Sequence, residues 1–496
     1  MAKKKYLWEG SDWSFEKIDA VYKVCEKLGK ELKLNIYPNQ IEIVSSDQMI
    51  DATSSSGLPL MYNHWSFGKS WVELEKEYRT GRTGLAYELV INSSPCIAYL
   101  MEENSMLTQA LVVSHASFGH NHFFKNNYLF KQWSNADSII DYLAFAKKYI
   151  TSCEEKYGAS KVEEFLDHCH ALQLYGVNRY KKPAKLSAKD EIKRLAEREE
   201  YRQQQVDVLW SMIPKLNKNG FIINESWPKE PEENILYFLE KNAPKLKTWQ
   251  REILRIVRKI SQYYFANRQT KLMNEGFATW THHTMINTMY DRGYITDGAM
   301  IEFLKLHTNV LMQPGFDSRY YSGINPYALG FAMFKDIERA CNNPTEEDKE
   351  FYGDRIKNPS LDVILDVVEN FRDESFVLQF LSPKVIRDFK LFSVFDDDDD
   401  QDYYVVKSIH NEHGYRKIRQ DLARQYEYDH YVPDIQIVNC DIKGDRKLTL
   451  QHNSRDGKLL TEESTLALEH LRMIWGYPVT INTVYQGQVL ERDHSR

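Results

Sequence analysis

Apolar side chains recur at helical spacing from residue 12 to residue 34, at Ile18, Val21, Tyr22, Val24, Cys25 and Leu28 behind a Ser/Asp start, and predict an amphipathic helix. NIYPNQIEIVSS then predicts a short extended segment. The polar run DATSSSGLP reads as a loop, and MYNHWSFGKSW, dense in aromatic, His and Gly residues, as a structured turn. GLAYELVINSSPCIAYLMEEN predicts buried, extended chain. From Ser105 the helical period takes over, through SMLTQALVVSHASFGHNHFF, ADSIIDYLAFAKKYITSCEEKYG and KVEEFLDHCHALQLYG. Residues 186–206, dense in charge, predict a solvated helix face, and a break follows at NKNGFIINESWPKEPEEN. NILYFLEKNAP and LKTWQREILRIVRKISQYYF are two further helices. After Pro314 a loop containing YYSGINPY enters the helix ALGFAMFKDIERA.

A second texture begins beyond the aspartate run Asp396 to Asp400. There YYVVKSI, DIQIVNCDI, RKLTLQH and PVTINTV alternate as strands, with two helices, GYRKIRQDLARQY and EESTLALEHLRMIW. The expected fold is therefore mainly α: a large helical principal domain over 1–395, an acidic connector over 396–402, and a small α+β domain over 403–496. The connector lacks the spaced ligands and central glycine of a calcium loop.

Length and charge narrow the function. A chain of 496 residues is long enough for two domains and a buried site. Its 64 basic and 71 acidic residues give a net charge of -7, without the basic excess that nucleic-acid binding uses. No secretion signal is visible at the start, and no apolar run reaches the length of a membrane span, so a cytoplasmic protein without membrane span is expected. The six cysteines, Cys25, Cys96, Cys153, Cys169, Cys341 and Cys440, show no CxxC spacing and read as reduced thiols.

Candidate chemistry gathers in two segments. In VVSHASFGHNHFF, His115 and His120 are five residues apart, and on a regular α-helix they would diverge by about 140°. A single π-type turn, made plausible by Gly119, returns such a pair to one side. No glutamate follows the first histidine, so a general base must come from elsewhere. In MNEGFATWTHHTM, Glu275 and His282 are seven apart and lie within about 20° on a helix. His115, His120 and Glu275 are the expected metal ligands, with His282 a fourth ligand or a hydrogen-bonding support. The metal expected is divalent, zinc first. The carboxylates from Glu88 through Glu102 and Glu103 are candidate bases or ligands, Glu103 being the one chosen as base. Tyr321 and Tyr327 flank a Gly-Ile-Asn-Pro turn and are candidates to hydrogen-bond an oxyanion. His307 is assigned a structural role, and His64 and the His168, Cys169, His170 group are read as structural.

These segments, together with MYNHWSFGK, HASFGHNHFFKNNYLF, FLDHCHALQLYGVNRYK, WQREILRIVRKISQYYF and DESFVLQFLSPKVIRDFKLF, resemble the stage V sporulation protein R family along nearly the whole chain. That resemblance implies a role in spore cortex formation or in stress and stationary-phase physiology. It also implies association with a serine protein kinase and a von Willebrand-type protein. Two functions are expected from different classes: a zincin-like, zinc-dependent amide or peptide hydrolase, and a non-enzymatic regulatory protein working with that kinase.

Overall fold

The computed structural model describes residues 6–58, 60–80, 88–179, 228, 230–315, 318–391, 393–396, 404–408, 410–441, 444–455, 457 and 459–494. The acidic run after Asp396 and the charged stretch 186–206 lie outside them. The protein is mainly helical with a small C-terminal strand domain. It forms two compact units, residues 1–166 with 259–432 and residues 167–258 with 433–496. The chain thus divides at 432/433 rather than across 396–402. The physical reason is local: the strands Ser393–Asp396 and Tyr404–Ser408 pair antiparallel with each other, and both belong to the first unit.

The first unit opens with α1 (Phe15–Glu31), whose Ser14 cap accepts from the Lys17 N–H, followed by β1 (Asn39–Val44). Next come α2 (Ser46–Ser54) and α3 (Trp65–Arg79). These two helices fall where the sequence reads as loop and turn. A capping box between Ser45 and Gln48 starts α2, with Met49, Ile50 and Ala52 buried beneath it, and the His64 ring accepts from the Ser66 N–H to start α3. β2 (Glu88–Ile91) and β3 (Cys96–Met101) form the expected extended region; β3 is central, parallel to β1 and antiparallel to β2.

The chain then enters α4 (Met106–Val112), a π-helix (Val113–His120), α5 (Asn121–Asn126) and α6 (Tyr128–Trp133). After α7 (Ile139–Tyr157) and α8 (Ala159–Ala171) the chain passes through residues of the second unit, which include α9 (Ile235–Asn242), and α10 (Thr248–Gln269) brings it back to the first unit and to α11 (Lys271–Asp291). α12 (Asp297–Val310), α13 (Pro326–Asn342), α14 (Glu346–Tyr352), α15 (Ser360–Asn370), α16 (Asp373–Phe380) and α17 (Pro383–Asp388) follow. β4 (Ser393–Asp396), β5 (Tyr404–Ser408), α18 (Glu412–Gln425) and α19 (Tyr428–Tyr431) complete the unit. Its core joins the buried stripe of α1, Ile18, Val21, Cys25 and Leu28, to Leu107 and Ala110 of α4, Phe118, and Met285 and Phe303. Burial of that stripe is what the period of α1 predicts.

In the second unit, β6 (Ile435–Cys440), β7 (Leu448–Asn453), β8 (Val479–Tyr485) and β9 (Gln488–His494) form one sheet in chain order. β7 and β8 are parallel, which requires a crossover, and α20 (Glu462–Trp475) supplies it. Among the described residues, no helix is long and apolar enough to cross a membrane.

Candidate metal centre

Three close backbone approaches set the site. A Cβ on Gly119 would lie 2.6 Å from the Ala278 Cα, so the π-helix meets α11 at a distance only glycine permits. A Cβ on Gly276 would lie 2.5 Å from the Gly330 Cα, and one on Gly330 would lie 2.3 Å from the Leu272 carbonyl oxygen. α11 therefore touches α13 backbone to backbone, which places Glu275, beside Gly276, next to Tyr327, one turn before Gly330. The N-terminus of α11 has no cap from its own Thr270; the buried Asp373 carboxylate accepts from the Leu272 and Met273 N–H groups at 2.9 Å each. Burial pushes that carboxyl up to about 7.

The histidine spacing is resolved by the π-helix. All eight of its residues are buried, and its i to i+5 bonding turns His115 and His120 to one side, their rings edge to face with centroids 4.6 Å apart. Each presents Nε2 to the same space. His115 Nε2 lies 3.6 Å and His120 Nε2 3.5 Å from Glu275 Oε2, and Glu88 Oε1 lies 3.3 Å from His115 Nε2. Ligand atoms of Glu88, His115 and His120 are all within 4.8 Å of one another. Tetrahedral ligation with bonds of about 2.0–2.1 Å separates neighbouring donors by about 3.3–3.4 Å. The observed spacings match that edge length and exceed an ordinary hydrogen bond.

The orphaned atoms point the same way. Oε2 of Glu88 and Oε2 of Glu275 are buried without a hydrogen-bond partner, a costly state for a carboxylate that lacks a cation. On the far side of each imidazole the partners are present. His120 Nδ1 lies 2.9 Å from Asn274 Oδ1, which can only accept, so Nδ1 carries the proton and Nε2 is left as a lone pair. His115 Nδ1 lies 2.9 Å from His282 Nδ1.

The electrostatics separate the two carboxylates. Burial pushes Glu88 up to about 7, with His115 opposing and Glu275 adding to the rise. Burial would also raise Glu275, but His120, His115 and a hydrogen bond from Tyr327 hold it below its ordinary value. Burial lowers His120 to about 4, and drives His282 well below its ordinary range. His115 moves the other way: burial disfavours its cation, yet Glu88 and Glu275 together raise it. The Tyr327 phenol is pushed far up by burial and by the neighbouring Glu275 and Glu88.

Of the residues expected from sequence, His115, His120, Glu275, His282 and Tyr327 come together. Glu103 does not: it is exposed in the turn after β3, and the carboxylate beside His115 and His120 is instead that of Glu88. Tyr321 is exposed, while Tyr327 is partly buried and stacks toward His115 with centroids 6.5 Å apart. His282 touches His115 through Nδ1 and bonds His307 through Nε2, the support role rather than a position facing the carboxylates. Sequence reasoning did not assign Asn274 or Asp373. Asn274 adjoins Glu275, but nothing in its spacing announced a bond to His120.

A family model described as "SpoVR like protein" matches residues 12–431, and one described as "SpoVR-like C-terminal domain" matches residues 433–486. An Escherichia coli (strain K12) protein described as "Uncharacterized protein YcgB" is 52% identical over 476 residues, covering 96% of this chain and 93% of that one. No solved structure matches. With both family models spanning nearly its whole length, the chain belongs to the SpoVR family.

Proposed function

We propose that the protein is a metal-dependent hydrolase of amide or peptide bonds, in which His115, His120 and Glu275 hold a divalent metal, zinc first, in a zincin-like manner. The observation that carries this reading is the spacing of 3.5 and 3.6 Å from His120 Nε2 and His115 Nε2 to Glu275 Oε2, a buried carboxylate oxygen with no hydrogen-bond partner. Such an ion, when bound, polarises a carbonyl and lowers the pKa of a water molecule.

The remaining work falls to the chain's own side chains. Glu275, held ionised, and the Nε2 lone pairs of His115 and His120 form a three-donor set with an open side, the arrangement of catalytic rather than structural zinc. Glu88 stands at that open side. Its carboxyl, pushed up to about 7, is suited to take a proton from water and return it to a leaving amine. Tyr327 keeps its phenolic proton, which bonds Glu275 in this structure and would turn from it to hydrogen-bond an oxyanion. In this reading the activity serves spore cortex formation or stress physiology, with a precursor or a protein as substrate.

The test is cleavage of a mixed peptide library by zinc-loaded protein, followed by mass spectrometry, with Glu88→Gln as the comparison. Wild type should cleave, and Glu88→Gln should keep its metal and lose activity by about 10²–10⁴-fold. Metal-loaded wild type that cleaves no amide would refute the hydrolase reading. A folded wild type that takes up no metal would favour the regulatory alternative with its kinase and von Willebrand-type partners.

A further inference from the structure

His307 lies on α12, far along the chain from either ligand histidine, yet it ends a line of three imidazoles that starts at His115. His115 Nδ1 meets His282 Nδ1 at 2.9 Å, and His282 Nε2 meets His307 Nδ1 at 3.0 Å. All three rings are buried. A neutral imidazole has one donor and one acceptor nitrogen, so each contact in such a line fixes the next. His307 Nδ1 as acceptor requires the proton of His282 on Nε2. His282 Nδ1 is then an acceptor and requires the proton of His115 on Nδ1. Of the two directions the line can take, this is the one that leaves His115 Nε2 as a lone pair facing Glu275 and Glu88, as metal ligation there requires.

The end of the line is mechanically fixed. The His307 ring is stacked on Phe303, centroids 5.3 Å apart and planes 23° from parallel, and meets the edge of Phe331 at 5.0 Å. Phe303 also meets the His282 ring at 6.0 Å, edge to face. The ring that sets the tautomer is thus held from two sides by aromatic packing. His120 has a different device for the same purpose, the Asn274 oxygen. Without an acceptor at the end of the line, His115 would divide between two tautomers, one of which places a proton where a metal would bind.

We infer that His307 is a positioning residue for the metal centre: acting through His282, it locks His115 in the tautomer that offers Nε2 to the ion. This rests on the metal reading above.

The test uses the full chain with Zn²⁺ and Co²⁺ as probes. His307→Phe keeps a ring between Phe303 and Phe331 but removes the acceptor, whereas His307→Asn places an amide oxygen near the position of Nδ1. His307→Phe should bind Zn²⁺ about 10–100-fold more weakly in chelator competition and change the visible Co²⁺ spectrum. His307→Asn should stay within about threefold of wild type by the same scale. A His307→Phe protein with wild-type affinity and an unchanged Co²⁺ spectrum would overturn the inference while leaving the metal centre intact. A wild type that binds neither ion would remove the metal reading itself. Should His307→Phe fail to fold, the imidazole nitrogen shifts of histidine-labelled wild type decide the matter. They should show the proton on Nδ1 of His115 and on Nε2 of His282, and a proton on Nε2 of His115 contradicts the assignment.

Discussion

Glu88 and Glu275 share one small space and are driven apart in acidity by what surrounds them. Glu275 has two imidazoles and a phenol to stabilise its charge; Glu88, with one histidine against its burial, rises to about 7. A base works only when ionised, so the sign is fixed: hydrolysis should be full above the Glu88 pKa and fall as pH drops through it. A bound cation lowers that pKa further, which puts the acid limb of the rate profile at or below about pH 7. A pH–rate profile of the zinc-loaded enzyme checks this. A flat profile from pH 5 to 8 would count against Glu88 as the base. At this scale the convergence of His115, His120 and Glu275 was legible in the sequence, and the carboxylate beside them less so. His115, His120 and Glu275 carry helical spacing that can be counted. Glu88 and Glu103 are both carboxylates flanking β3, and only the pairing of Glu88 with Leu100 shows which one lies over the histidines.

Among the elements, the π-helix and two helix crossings do the positioning. The five-residue histidine spacing, read with Gly119, pointed to a π-type turn, because a regular helix cannot bring those side chains together. The crossing of α11 and α13 was not legible: Gly276 and Gly330 are ordinary-looking helix glycines until the two backbones meet. That meeting has a measurable consequence. Gly330→Ala should destabilise the protein by about 1–3 kcal/mol or more through overpacking, and should weaken metal binding by displacing Glu275 from Tyr327. Gly298→Ala, at an exposed position of α12 where an added Cβ meets only the Thr296 hydroxyl at 3.8 Å, should instead stabilise by about 0.5–1 kcal/mol. Thermal unfolding of the two variants beside wild type tests the contrast, and equal melting temperatures would contradict it. α2 and α3 escaped the sequence reading for a related reason. Short polar runs such as DATSSSGLP look like loops, but a capping box and three buried side chains suffice to make a helix of the first half.

For the whole molecule, every residue assigned to the centre belongs to the first unit, drawn from β2, the π-helix, α11, α12 and α13. The helical class and the C-terminal change of texture were legible from periodicity alone. The boundary at 432/433 was not, because it depends on β4 and β5 pairing with each other inside the first unit. The central claim is that this unit is built around a metal ion. The most direct measurement is elemental analysis of wild type, His120→Ala and Glu275→Ala, purified without chelator or nickel affinity resin. One divalent metal per folded wild-type chain, lost from both variants while their melting profiles stay cooperative, is the predicted result. Folded wild type without stoichiometric metal, or variants that retain it in full, would contradict the account.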